Sequence, residues 1–124
     1  MESVHLPVIV AVVIAYVAGS FPSAYLAGKW HGVDLRQHGS GNLGATNVVR
    51  VLGIRVGAMV FIADTLKGFL PVFLLPALTG VAHPELLSLT IGGAAILGHV
   101  RPVFLLGQKG GKGVATAGGV FLGV

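Results

Sequence analysis

The chain has 124 residues, of which 54% are hydrophobic and only 10% charged, and its mean hydropathy is +0.90. A soluble domain carries about 25% charged residues, so there is too little polar surface here for a water-soluble fold, and lipid is the solvent that suits it. The net charge is +4 and there are no cysteines, which excludes a disulfide framework and any thiolate metal or redox centre.

Residues 6–28 read as a first membrane span, rich in Val, Ile and Ala and ended by Lys29. At about 1.5 Å per residue it crosses a hydrocarbon core of about 30 Å. Gly19, Pro22 and Gly28 are expected to bend it or to admit a close neighbour. A signal peptide is the rival reading, but the leading residues hold Glu2 and no Lys or Arg, whereas a signal peptide wants a positive start.

Residues 29–55 form a long loop carrying Gly39-Ser40-Gly41-Asn42-Leu43-Gly44-Ala45-Thr46-Asn47, with Arg50 following. Bare backbone N–H groups, small polar side chains and fixed positive charge together suit a phosphate or another oxyanion. Residues 44–52 predict a short helix at the membrane interface. Thr46 and Asn47 share the face of Arg50 by their i, i+4 and i, i+3 spacings, and Val48, Val49, Val51 and Leu52 supply the apolar side. The spacing Gly39-x-Gly41-x-x-Gly44 matches a dinucleotide fingerprint with Asp64 downstream. That reading fails, because the preceding Asp34-Leu35-Arg36-Gln37-His38 is polar and not a buried strand.

Residues 56–79 are the second span and contain Asp64 and Lys67. Gly68 to Thr79 is too short to cross alone, so both charges sit inside the span, where ionisable groups are costly and face partners or cavities. At i, i+3 they can neutralise each other; that supporting role stands beside a direct role at substrate.

Residues 80–85 are an outer turn, and residues 86–106 are the third span, with His99, Arg101 and Pro102 toward its end. The second basic loop, residues 107–113, reads Gly107-Gln108-Lys109-Gly110-Gly111-Lys112-Gly113. It is no Walker loop: Leu106 stands where glycine is required and Gly113 where Ser or Thr is required. Topology alone does not call for glycines around Lys109 and Lys112; backbone that must approach a ligand does. His99 can orient substrate or relay a proton. Orientation is the favoured role, because no carboxylate is placed beside it by sequence. His5, His31, His38 and His83 show no metal spacing. Residues 114–124 start a fourth apolar stretch too short to span. The chain is therefore expected to be one integral membrane domain over residues 1–124, C-terminally incomplete.

Lys29, Arg36, Arg50, Arg55, Arg101, Lys109 and Lys112 fall in or beside the two loops, whereas Glu2 and Glu85 lie at the opposite ends of the spans. The positive-inside rule puts both loops in the cytoplasm and the N-terminus outside. Topology and headgroup contact account for Lys29, Arg36 and Arg55.

Three ordered motifs carry a resemblance over nearly the whole chain. They are Gly39-Ser40-Gly41-Asn42-x-Gly44-Ala45-Thr46-Asn47-x-x-Arg50; Asp64-x-x-Lys67-Gly68; and Gly98-His99-x-x-Pro102 with Gly110-Gly111-Lys112-Gly113-Val114-Ala115-Thr116. In this order and in a membrane context they are similar to those of the PlsY family, the bacterial acyl-phosphate:glycerol-3-phosphate acyltransferases. The resemblance implies an all-α, polytopic bundle of the bacterial inner membrane. Three full spans and the start of a fourth lie here, of about seven helices in the whole, helices being what satisfies backbone polar groups in lipid. It implies acyl transfer from acyl-phosphate to glycerol 3-phosphate, giving lysophosphatidic acid and phosphate, with no metal or organic cofactor and no nucleic acid partner. A third motif of the family, with His, Asn and Glu, has no counterpart in this chain.

The expected catalytic residues are Ser40, Arg50, His99 and Lys112. The expected phosphate-binding residues are Gly39, Gly41, Asn42, Gly44, Thr46, Asn47, Lys109, Gly110, Gly111 and Gly113, with Asp64 and Lys67 in support. The alternative from another class is a transporter or channel for an anionic solute, since broken glycine-rich helices with intramembrane charges also suit a carrier.

Overall fold

The computed structural model describes residues 4–105 and 108–124; Glu2 and the expected span-to-loop junction at Leu106 and Gly107 lie outside the described residues. The regular structure is helical throughout: α1 (Val8–Gly19), α2 (Ser23–Trp30), α3 (Ala45–Leu52), α4 (Ile54–Thr79), α5 (Pro84–Val100) and α6 (Val114–Gly123), with 3-10 turns at Leu35–Gln37 and Val103–Leu105. Three stretches, Val8–Trp30, Ile54–Thr79 and Pro84–Leu105, are long and apolar enough to cross a membrane, and α6 is a shorter apolar helix. The architecture is a polytopic transmembrane helix bundle.

The first span is broken in two. Pro22 has no N–H and holds the residue before it out of the α region, so α1 stops and α2 restarts at Ser23. The groups freed by the break find partners. Ser20 Oγ donates to the Tyr16 carbonyl at 2.7 Å and accepts the Val103 N–H at 3.2 Å. The Phe21 carbonyl accepts Lys67 Nζ at 3.0 Å. The third span is also shorter as an α-helix than expected. Pro102 turns Arg101 out of the helix, to φ −132° and ψ 72°, and the chain continues as the 3-10 turn. Pro71 and Pro76, by contrast, sit buried inside α4 and leave it helical, as packed membrane helices permit.

Large side chains point outward and small ones inward. Ile9, Val13, Met59, Phe73 and Phe121 are exposed, whereas Ala11, Ala15 and Ala95 are fully buried. Lipid is as apolar as leucine, so association relies on close backbone approach. Gly19 of α1 rests on the Ala95 carbonyl of α5, and Gly98 of α5 rests on the Tyr16 carbonyl of α1. The α4–α6 pair repeats the device, with Gly68 against the Thr116 carbonyl and Gly119 against the Thr65 carbonyl.

At one end of the bundle the Leu6 N–H meets the Leu78 carbonyl at 2.8 Å. At the other end the Tyr16 hydroxyl donates to the Arg101 carbonyl at 2.6 Å, and both glycine loops gather there. Trp30, 88% exposed beside Lys29, marks that end as a membrane–water interface. The interfacial helix expected over 44–52 is α3; Gly53, at φ 94°, separates it from α4.

Candidate functional site

The first glycine loop is built on a polar turn. Asp34 accepts the Arg36 N–H at 3.0 Å and caps the 3-10 turn Leu35–Gln37. The Arg36 guanidinium returns to both Asp34 oxygens at 3.0 and 2.9 Å, lies 4.9 Å from the centre of the Tyr25 ring, and reaches Gln108 Oε1 at 3.2 Å. Hydrogen bonding from Arg36 holds the Asp34 carboxyl below its ordinary value, and Asp34 in turn raises Arg36. Arg36, accounted for above by topology, thus ties the first loop to the second. The signal that could have found it was the Asp34-x-Arg36 spacing inside a turn.

Asn47 is the brace of this loop. It is 2% exposed. Its Oδ1 accepts the Ser40 N–H at 3.0 Å and Arg50 Nη1 at 3.5 Å. Its Nδ2 faces the carbonyls of Leu35, His38 and Asn42 at 3.4, 3.1 and 3.1 Å. Both ends of the amide are thereby engaged within the loop, so Asn47 braces the loop from the wall of the cavity between the two loops. Gly39, at φ 56°, is part of the same device: a Cβ there would strike Asn47 Oδ1.

A cavity of about 400 Å³ opens between the two loops. Ser40, Asn42, Gly44, Thr46, Asn47 and Arg50 line it from the first loop and α3, and His99, Lys112, Gly113 and Asp64 from the other side. Two helices begin at this cavity. Gly44 precedes α3 and Gly113, at φ 82°, precedes α6, and neither helix has a side-chain cap. Helix starts carry unsatisfied N–H groups and partial positive charge, so both aim donors into a space that also holds Arg50 and Lys112. A neighbouring cavity of about 360 Å³ shares Ser40, Asn42 and Lys112 and adds Arg36, Gly41, Gln108, Lys109 and Gly110. Lys109 and Lys112 are therefore separated, Lys109 facing one cavity and Lys112 both.

The second loop rests on His99. A Cβ on Gly110 would meet the His99 carbonyl, and one on Gly111 would meet His99 Nε2 and the Leu43 carbonyl of the first loop. The Gly110 N–H donates to the Val100 carbonyl at 2.8 Å. Both glycines are buried. Close packing on His99 is thus one reason for glycine at both positions, and Gly110 also lines the smaller cavity.

Asp64 and Lys67 lie inside α4, buried to 1% and 8% exposure, and pair at 3.0 Å. Asp64 also accepts the Ser23 hydroxyl from α2. His99 Nδ1 lies 3.9 Å from Asp64 Oδ1. The histidine judged to have no carboxylate beside it does have one, supplied by another helix; that proximity depends on how α4 and α5 pack and leaves no trace in local spacing. Among the described residues no group of His, Asp or Glu is arranged to hold a metal ion.

Residues 9–124 match the family model described as glycerol-3-phosphate acyltransferase. The glycerol-3-phosphate acyltransferase of Geotalea daltonii is 53% identical over 116 residues, covering 94% of this chain and 58% of that protein. The Bacillus subtilis protein of the same description is 48% identical over 112 residues, covering 90% and 55%. Among solved structures, PlsY (YgiH), an integral membrane glycerol 3-phosphate acyltransferase, superimposes in its glycerol 3-phosphate form with a TM-score of 0.84 at 47% identity, over 94% of this chain and 57% of that one. Its lysophosphatidic acid form gives 0.81 at 45% identity. The chain thus spans little more than half the length of the proteins it matches. A family model that matches from the second residue of α1 to the last residue, together with that superposition, places the chain in the glycerol-3-phosphate acyltransferase family.

Proposed function

We propose that this chain contributes the anion-gathering part of a membrane enzyme that transfers a fatty acyl group from acyl-phosphate to glycerol 3-phosphate, yielding lysophosphatidic acid and phosphate in phospholipid synthesis. The observation that carries the reading is the cavity where two uncapped helix starts, Ser40, Arg50 and Lys112 converge. Both substrates bring phosphate, and fixed donors in a partly dry site stabilise gathered negative charge better than water does. The related structures, described as a glycerol 3-phosphate form and a lysophosphatidic acid form, support the same substrate and product.

Acyl-phosphate is a mixed anhydride and already activated. The glycerol hydroxyl attacks the acyl carbon, the C–O bond to phosphate breaks, and phosphate leaves with the electron pair. Arg50 and Lys112 neutralise that charge, while Ser40 and Asn42 orient it. Ser40 does not have to become an acyl-enzyme, since the donor is already activated; its hydroxyl oxygen accepts the Asn42 N–H at 3.3 Å. The hydroxyl proton passes to His99, to a substrate phosphate, or to a residue of the full-length protein outside this chain. We place the enzyme in the bacterial inner membrane, and the clustering of cations in the two loops supports a cytoplasmic position for both.

The test is turnover by the full-length gene product in lipid, with acyl-phosphate and labelled glycerol 3-phosphate and without CoA. Lysophosphatidic acid and released phosphate are expected. Ser40→Ala, Arg50→Ala and Lys112→Ala should each fold and lose turnover on the order of 10²–10³-fold, the effect of removing one charge-stabilising donor. Flux of glycerol 3-phosphate into liposomes without acyl product would point to a carrier and refute the enzyme reading.

A further inference from the structure

Asp64 stands where four helices meet. Its side-chain Oδ1 accepts the Ser23 hydroxyl of α2 and pairs with Lys67 of its own helix at 3.0 Å. Its backbone carbonyl accepts Thr116 Oγ1 of α6 at 2.9 Å. The same Oδ1 faces Nδ1 of His99 on α5 at 3.9 Å. That nitrogen is buried and has no hydrogen-bond partner, and His99 as a whole is 6% exposed. A buried polar atom left unpaired is costly, and a carboxylate facing it is the group able to relieve that cost.

Charge balance alone does not account for this arrangement. Lys67 already neutralises Asp64, and it also donates to the Phe21 carbonyl at 3.0 Å. The Ser23 hydroxyl adds direction: it and Lys67 both hold Oδ1, the oxygen that faces His99 on α5. His99 is in turn the post beneath the second glycine loop. Gly110 packs on its carbonyl, Gly111 on Nε2, and Gly113 lies beside its ring carbon Cδ2. Lys112 sits between the last two of these glycines, so a turn of the ring displaces Lys112.

We propose that Asp64, held by Ser23 and Lys67, is a positioning residue: it keeps the proton of His99 on Nδ1, fixes the rotation of the ring, and through it sets Lys112 at the anion cavity. The ring nitrogen opposite the carboxylate then carries no proton and faces the glycine loop, an orientation set by the partner of the other nitrogen. Lys67 also cancels the negative charge that Asp64 would otherwise present to a phosphate in the cavity it lines. This proposal rests on the acyltransferase reading for its effect on turnover, but its geometric core can be read without turnover.

The experiment uses the full-length protein in lipid and has two arms. In the first, ¹⁵N-histidine spectra of the wild type, with the His99 signal assigned from His99→Gln, are expected to show a protonated Nδ1; a bare Nδ1 overturns the proposal. The second arm compares Asp64→Asn with the double variant Asp64→Asn/Lys67→Met. The single variant strands a buried ammonium and should melt earlier, whereas the double variant should melt later than the single one, short of the wild type because the Phe21 carbonyl loses its donor. The double variant should nonetheless lose turnover on the order of 10²-fold with a raised KM for glycerol 3-phosphate, as a misplaced site group does. Wild-type kcat and KM in the double variant would mean that the pair only balances charge, and would overturn the proposal. If the double variant does not fold, the wild-type spectrum decides. If the wild type makes no lysophosphatidic acid, the functional reading fails while the spectrum still decides the positioning.

Discussion

Asn47 carries more of the site than its small amide suggests. It satisfies the Ser40 N–H and faces three carbonyls of the loop that presents Ser40 and Asn42. Removing it leaves several polar groups unpaired in a nearly closed space, and each such group costs about 1–3 kcal/mol. Asn47→Ala is expected to lower stability by about 2–3 kcal/mol, read as an earlier melting midpoint in detergent, and to weaken phosphate binding by loosening Ser40. Asn47→Asp keeps Oδ1 but loses the Nδ2 donor, so it should restore little. A wild-type midpoint for Asn47→Ala would show that water replaces the amide and that the loop does not depend on it. Arg36 works at the same scale but near solvent, where paired charges contribute little to stability; its importance is the contact with Gln108 across the two loops.

At the scale of helices, two glycine crossings set the geometry that residues then use. Gly119 lies on the Thr65 carbonyl, whereas Gly118, its neighbour on α6, has nothing within reach of an added Cβ. Gly119→Ala should therefore push α6 off α4 and cost about 1–3 kcal/mol, as overpacking does. Gly118→Ala should be neutral or stabilise by about 0.4–1 kcal/mol, because alanine has less freedom to lose in a helix. Melting midpoints of the two variants make the comparison, and equal effects would refute the crossing as the determinant. The crossing matters to the site because α6 begins at Gly113 and holds Thr116 on Asp64. The break between α1 and α2 acts likewise. It brings Ser23 to Asp64 and the Phe21 carbonyl to Lys67, so an interrupted helix becomes part of the machinery that steadies His99.

For the molecule as a whole, one end collects the donors and the other closes the bundle. Arg36, Arg50, Lys109 and Lys112 all line the two joined cavities at the loop end. An anion that binds the folded protein and not the unfolded chain stabilises it by mass action, by about 2.7 kcal/mol when its concentration is a hundredfold above Kd. Inorganic phosphate is therefore expected to raise the melting midpoint of the full-length protein in a concentration-dependent way. The rise should shrink in Arg50→Ala and Lys112→Ala and fade at high salt, since exposed charges are screened. A shift of equal size in these variants would place the anion elsewhere.

Some of this was readable in local sequence and some was not, for a physical reason. Apolar run length and the scarcity of charge identify membrane spans because the bilayer imposes a minimum length on each segment separately. Proline and glycine punctuation signals the break at Pro22 and the start of α3 because backbone restriction acts on neighbours. The clustering of cations with Gly39–Asn47 and Gln108–Gly113 points to an oxyanion because those residues are contiguous. Roles that depend on distance between helices were out of reach. Local spacing could not place Asp64 beside His99, could not show that Gly110 and Gly111 pack on His99, and could not tell that Asn47 braces the first loop from the wall of the same cavity that Arg50 lines. Those outcomes were decided by how closely α1 and α5, and α4 and α6, approach at their glycines. In lipid, tertiary packing and buried polar pairing set such distances, and the order of residues along the chain does not encode them locally.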